Sequence, residues 1–131
     1  MAWENLPSTN TPLNATNLNQ FDVYSASETV IGKWIDNKII YRKVINIGTL
    51  PNATYKDVSS GLTATDVTII RMQGMAKASN GTQLPLPYAT TTEENCVALS
   101  LQATGNLRIE AGIDRSAYTS SYVVLEYTKN S

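Results

Sequence analysis

Short runs in which apolar and polar residues alternate, separated by turn residues, dominate the chain from residue 29 onward. Side chains two apart share one face of a strand, so this period predicts strands with one face toward a core. Residues 29–35 and 38–47 flank Asp36-Asn37 and read as a hairpin around a two-residue turn, because Asp and Asn tolerate the positive φ that a type I′ turn needs. In the second run Ile40, Arg42, Val44 and Asn46 share one face, and Ile39, Tyr41, Lys43, Ile45 and Ile47 share the other. Neither face is purely apolar, which predicts that a second surface is partly covered.

Residues 54–60 suit a short edge strand. Residues 66–75 form a strong strand pattern, with Val67, Ile69, Arg71 and Gln73 opposite Thr68, Ile70, Met72 and Gly74. The run Leu84-Pro85-Leu86-Pro87-Tyr88 cannot be a central strand, since proline donates nothing to a ladder; it reads as an extended edge or loop. Val97, Leu99 and Leu101 alternate with Cys96, Ala98 and Ser100. After the turn at Thr104-Gly105-Asn106, Leu107, Ile109 and Ala111 alternate with Arg108 and Glu110, which makes a second hairpin. Residues 114–116 form a loop and residues 122–128 a final strand. Many short strands at roughly ten-residue spacing predict an all-β protein, an antiparallel β-sandwich of jelly-roll-like type, spanning residues 29–131.

Residues 1–28 differ in composition. They are rich in Asn, Ser and Thr and contain Pro7 and Pro12. Thr11 before Pro12 has the form of a helix N-cap followed by proline at the first helical position, but Leu13, Leu18 and Phe21 are too few to hold an independent helix. The segment is expected to be an extended N-terminal arm that docks on the protein or a neighbour.

Composition then removes function classes. The 131 residues carry 10 Lys and Arg against 11 Asp and Glu, a net charge of −1, with the basic residues scattered, so no nucleic-acid footprint is present. There is no histidine and one cysteine, Cys96. That excludes a Ser-His-Asp or Cys-His catalytic group, an intramolecular disulfide and a cysteine zinc site; Cys96, on an apolar strand, reads as an inert thiol. No metal and no cofactor are expected. No run approaches the ~18 apolar residues of a membrane span, and the start MAWEN lacks the basic and apolar regions of a signal peptide. Synthesis in a bacterial cytoplasm is expected, and the Asn-x-Thr sites at Asn14, Asn52 and Asn80 read as polar turns.

Four segments resemble one family. VIGKWIDNKIIYRK at 30–43, LPLPY at 84–88, GIDRS at 112–116 followed by YVVLEYTK at 122–129, and TPLNATNLN at 11–19 are similar, in that order, to segments of bacteriophage tail-fibre and minor structural proteins. The resemblance covers nearly the whole chain. It implies a β-sandwich that caps a longer fibre or baseplate protein, assembles as a homotrimer, sits on the virion and attaches to a host surface. Here the long stalk is missing, and Asn37 stands where the family's first turn has glycine. The missing stalk leaves open a tail tip, a baseplate piece or a decoration, head-fibre or connector protein without saccharide binding.

The residues that such an attachment module would use are aromatic platforms with polar neighbours. Tyr88, Tyr118, Asp114, Arg115 and Trp34 fit that description, with Tyr41 and Tyr122 as further aromatic candidates that read rather as sheet-packing residues; cell-wall polysaccharide is the expected ligand, with residues 1–28 holding other virion proteins. Each also has a plain structural reading: Trp34 as core or subunit interface, Tyr88 and Tyr118 as loop packing, and Asp114-Arg115 as a loop ion pair. A glycan hydrolase would need two carboxylates flanking one cleft. The adjacent pair Glu93-Glu94 is ill suited, because neighbours on an extended chain point apart.

Overall fold

The computed structural model describes residues 24–130; the Thr11-Pro12 helix start and most of the expected arm lie outside them. Eight strands follow in order: β1 (Thr29–Lys33), β2 (Ile39–Asn46), β3 (Tyr55–Ser59), β4 (Val67–Ala78), β5 (Gln83–Leu86), β6 (Val97–Leu101), β7 (Asn106–Ala111) and β8 (Tyr118–Lys129). They make two antiparallel sheets, one of five strands in the order β1-β2-β8-β4-β5 and one of three in the order β3-β7-β6. The fold is all-β and sandwich-like.

The alternation read from the sequence places one face of each sheet in the space between them. Ile45, Ala76, Leu84, Leu86, Val123, Leu125 and Tyr127 of the large sheet meet Val97, Leu107 and Ile109 of the small one in a single buried cluster. Burial of apolar side chains, at roughly 1.5–3 kcal/mol each, is what holds the sheets face to face. Tyr127 is fully buried and stacks on Tyr41 at 5.9 Å between ring centroids. Both predicted hairpins form, and the proline run supplies the edge strand β5, paired to β4 through Gly74–Leu86 to Lys77–Gln83.

Two details depart from the alternation. The first turn has three residues, Ile35, Asp36 and Asn37: Trp34 N–H donates to Lys38 O and Asn37 N–H to Trp34 O, both at 2.8 Å. Only Asn37 takes positive φ, +74°, which is a type I turn closed by a left-handed residue. Asp36 Oδ1 accepts from Lys38 N–H at 3.0 Å and fixes that geometry. Asn37 thus takes a left-handed conformation that suits glycine best and that Asn tolerates. The second departure lies in β4. The register against β8 shifts between Ile69 and Arg71, so Ile69 faces Tyr127 while Arg71 faces Glu126. The extra residue of the bulge moves Val67 and Ile69 to the core beside Met72 and turns Arg71 and Gln73 to the outer face.

The outer face of β2 is partly covered, as its mixed pattern requires. Tyr24 lies with its ring 3.7 Å from the Arg42 guanidinium carbon, and Ser25 O accepts from Val44 N–H at 2.9 Å. At the same junction Glu28 takes hydrogen bonds from the Tyr127 hydroxyl at 2.5 Å and Lys129 Nζ at 2.8 Å. Residues 24–28 are thus tied to the sheet by a stacked ring, a backbone bond and a shared carboxylate.

Candidate functional site

Four of the five residues expected at a ligand site are brought to one end of the sandwich. Arg115 sits in the loop between β7 and β8, and its guanidinium carbon lies 5.5 Å from the Tyr88 ring centroid. Its Nη2 donates to Asn95 O at 2.5 Å, in the loop before β6. Its Nε is buried with no hydrogen-bond partner. Asp114 turns back on its own loop, accepting from Ser116 N–H at 2.9 Å and Ser116 Oγ at 2.6 Å, and these bonds hold its carboxyl below the usual aspartate range. Tyr118 opens β8, packs against the core, and receives Leu50 N–H on its carbonyl at 3.0 Å. Tyr88 exchanges both backbone hydrogen bonds with Val97.

This cluster joins the LPLPY and GIDRS segments, and its polar groups face loop partners. Arg115 spans Tyr88 and Asn95, and Asp114 and Ser116 cap each other. Asn52 bridges to Asp114 in the same region. The arrangement locks loops; it has few groups left to offer a ligand. Trp34 is elsewhere, 40% exposed on the β1–β2 turn. β2 separates that turn from the Asn46–Tyr122 end by roughly 23 Å of strand.

The acidic pair Glu93-Glu94 lies on a 3₁₀ turn (Glu93–Asn95) and not on extended chain. The surface depression beside it, about 490 Å³, is lined by Thr92, Glu93, Glu94 and Gly112, so both carboxylates come from one turn. Cys96 is half-buried, with Thr90 N–H 3.4 Å from its sulfur. Among the described residues no helix is long and apolar enough to cross a membrane.

A feature not expected from the sequence lies on the outer face of the large sheet. Val44, Tyr122, Val124, Gln73, Met75 and Pro85 line a trough of about 850 Å³ together with Tyr24 and Arg71. Val124 is buried on this outer side, and the Tyr122 ring stands 44% exposed. Arg71 Nε donates to Gln73 Oε1 at 2.8 Å, and Arg71 Nη1 lies 3.2 Å from Glu126 Oε2. The trough residues come from β2, β4, β5 and β8, and the β4 bulge is what sets Arg71 and Gln73 on this side. Period-two reading places those two residues with Val67 and Ile69 and so conceals them. Compared with protein-family models, with curated proteins and with solved structures, the chain matches none.

Proposed function

We propose that this chain is a structural component of a bacteriophage particle, made in the bacterial cytoplasm, that works without catalytic turnover as a homotrimeric host-attachment module. The observation that carries this reading is the meeting of two family-like segments in space. Tyr88 of LPLPY and Arg115 of GIDRS lie 27 positions apart in sequence and touch through ring and guanidinium. Of the other family-like segments, VIGKWIDNKIIYRK forms the β1–β2 hairpin and YVVLEYTK lies in the central strand β8, while TPLNATNLN lies outside the described residues. The resemblance therefore falls on the parts that build a rigid frame. A rigid frame is what a particle-borne knob needs, since weak contacts repeated by symmetry gain through effective concentration.

Purified protein incubated with host cells should lower adsorption of the phage, and antibody raised to it should label intact particles. Labelled particles with undiminished adsorption would favour the second reading, a decoration or connector protein, which draws support from Asp114 and Arg115 being engaged by their own loops. Unlabelled particles would remove both. Release of reducing ends from host envelope material by the purified chain would point instead to a glycan hydrolase.

A further inference from the structure

We infer that the trough on the outer face of the five-stranded sheet is a binding site for a neutral pyranose oligosaccharide. This rests on the attachment reading and places the ligand away from the loop cluster. The chemistry of the lining selects the occupant. Tyr122 offers an exposed ring face, and the C–H face of a pyranose packs on such a ring. With it in the lining stand Arg71 and Gln73, and the Arg71 guanidinium, held by Glu126 outside the lining, fixes the Gln73 oxygen in place. The Gln73 amide keeps its N–H donors. Sugar hydroxyls both donate and accept, so they match an amide held in this way.

Other occupants fit less well. The trough lies on a sheet face, where backbone groups are spent in the β2–β8 and β8–β4 ladders. A peptide strand binds by adding to a free edge, and the edge that the trough reaches, β5, carries Pro85 and is followed by Pro87, neither of which donates to a ladder. An acyl chain would cover Arg71 and Gln73 and leave the Gln73 N–H donors without partners in hydrocarbon, a cost that a sugar hydroxyl avoids. A polyanion would meet Arg71 already neutralised by Glu126 at 3.2 Å. The volume, about 850 Å³, lies in the range of small-ligand sites.

The test is titration of the full-length protein, followed by ligand-observed NMR, with neutral hexose and N-acetylhexosamine tetrasaccharides. Tyr122→Ala and Gln73→Ala are compared with Tyr55→Ala, an exposed tyrosine on the small sheet, and with Arg115→Ala at the loop cluster. Thermal melts confirm that each variant is folded. The expected result is weak saturable binding by the parent, weakened roughly five- to tenfold by Tyr122→Ala and also by Gln73→Ala, with Tyr55→Ala unchanged. Binding lost in Arg115→Ala but kept in both trough variants overturns the site. No binding of any tetrasaccharide, while the protein still competes for phage adsorption, overturns the ligand class and leaves the attachment reading standing. Sedimentation in which Tyr122→Ala turns an oligomer into a monomer also overturns the proposal, because a second copy is then the occupant.

Discussion

Gly74 is the position where a single added carbon should cost most. It lies in the middle of β4 opposite Val123, and a Cβ built there overlaps the Tyr122 carbonyl oxygen. The same atom would stand 2.8 Å from the Tyr122 carbonyl carbon and 2.9 Å from Val123 Cα. All three obstacles are backbone, so no side-chain rotation relieves them. β8 cannot retreat either, because on its far side it pairs with β2 from Ile40–Thr128 to Asn46–Tyr122. Overpacking in a core costs about 1–3 kcal/mol, and a clash with two fixed strands belongs at the upper end. For a chain of this size about 3 kcal/mol corresponds to a Tm lower by roughly 10–15 °C. Urea unfolding followed by tyrosine and tryptophan fluorescence, with Gly74→Ala beside the parent, measures it. Gly32→Ala is the control, since nothing lies within 4 Å of a Cβ at that site. A Gly74→Ala variant within about 0.5 kcal/mol of the parent would refute the close approach of β4 and β8.

Asn37→Gly should raise stability by about 0.5 kcal/mol, because φ at that residue is +74°; a melting temperature at or below the parent's contradicts the turn. Tyr127→Phe should cost about 1.5–2 kcal/mol in chemical unfolding, since its hydroxyl donates to the Glu28 carboxylate, while the Tyr41 stack survives. Burial pushes the Glu28 carboxyl up, but hydrogen bonds from Lys129 and Tyr127, with the charges of Lys129 and Lys43, outweigh it and leave the pKa below the usual value. A carboxylate whose folded pKa is lowered stabilises the fold above its unfolded pKa, and that contribution disappears as pH falls through the folded value. Stability should therefore decline below about pH 4.3, and less steeply in Glu28→Gln; identical slopes from pH 5 to 3 would show that Glu28 is not coupled to folding. Arg115→Ala should lower the melting temperature and speed proteolysis in the loop before β6, since it removes the bond to Asn95 O; an unchanged cleavage pattern counts against the loop-locking role.

The strands were legible because their one-sided burial leaves a period of two in the residues themselves. Leu107, Ile109 and Ala111 are all buried, and so are Val123, Leu125 and Tyr127. The β1–β2 turn was less so. Ile35 is β-branched, apolar and 91% exposed, and nothing in its chemistry says that it leaves the strand one residue early. The β4 bulge escaped for a related reason, since Ile69 and Ile70 are both apolar and either would suit the core. The loop cluster was found because Tyr88, Asp114, Arg115 and Tyr118 border turns. That the polar ones are consumed by neighbouring loops depends on contacts such as Arg115 to Asn95, between residues far apart in the chain. The trough joins side chains from four strands through register alone, and no short stretch of sequence carries that information.

β8 has consequences for how the chain reaches its fold. It is the latest of the eight strands to be synthesised, yet it lies between β2 and β4 and supplies the pairing partner for both. Until it leaves the ribosome the large sheet is two separate hairpins, each with a bare flank and an unfilled groove where Val123, Leu125 and Tyr127 belong. Nascent chains caught at that stage expose sticky edges. Deleting β8 should then leave a chain that aggregates, whereas deleting the edge strand β1 should leave β2, β8, β4 and β5 paired.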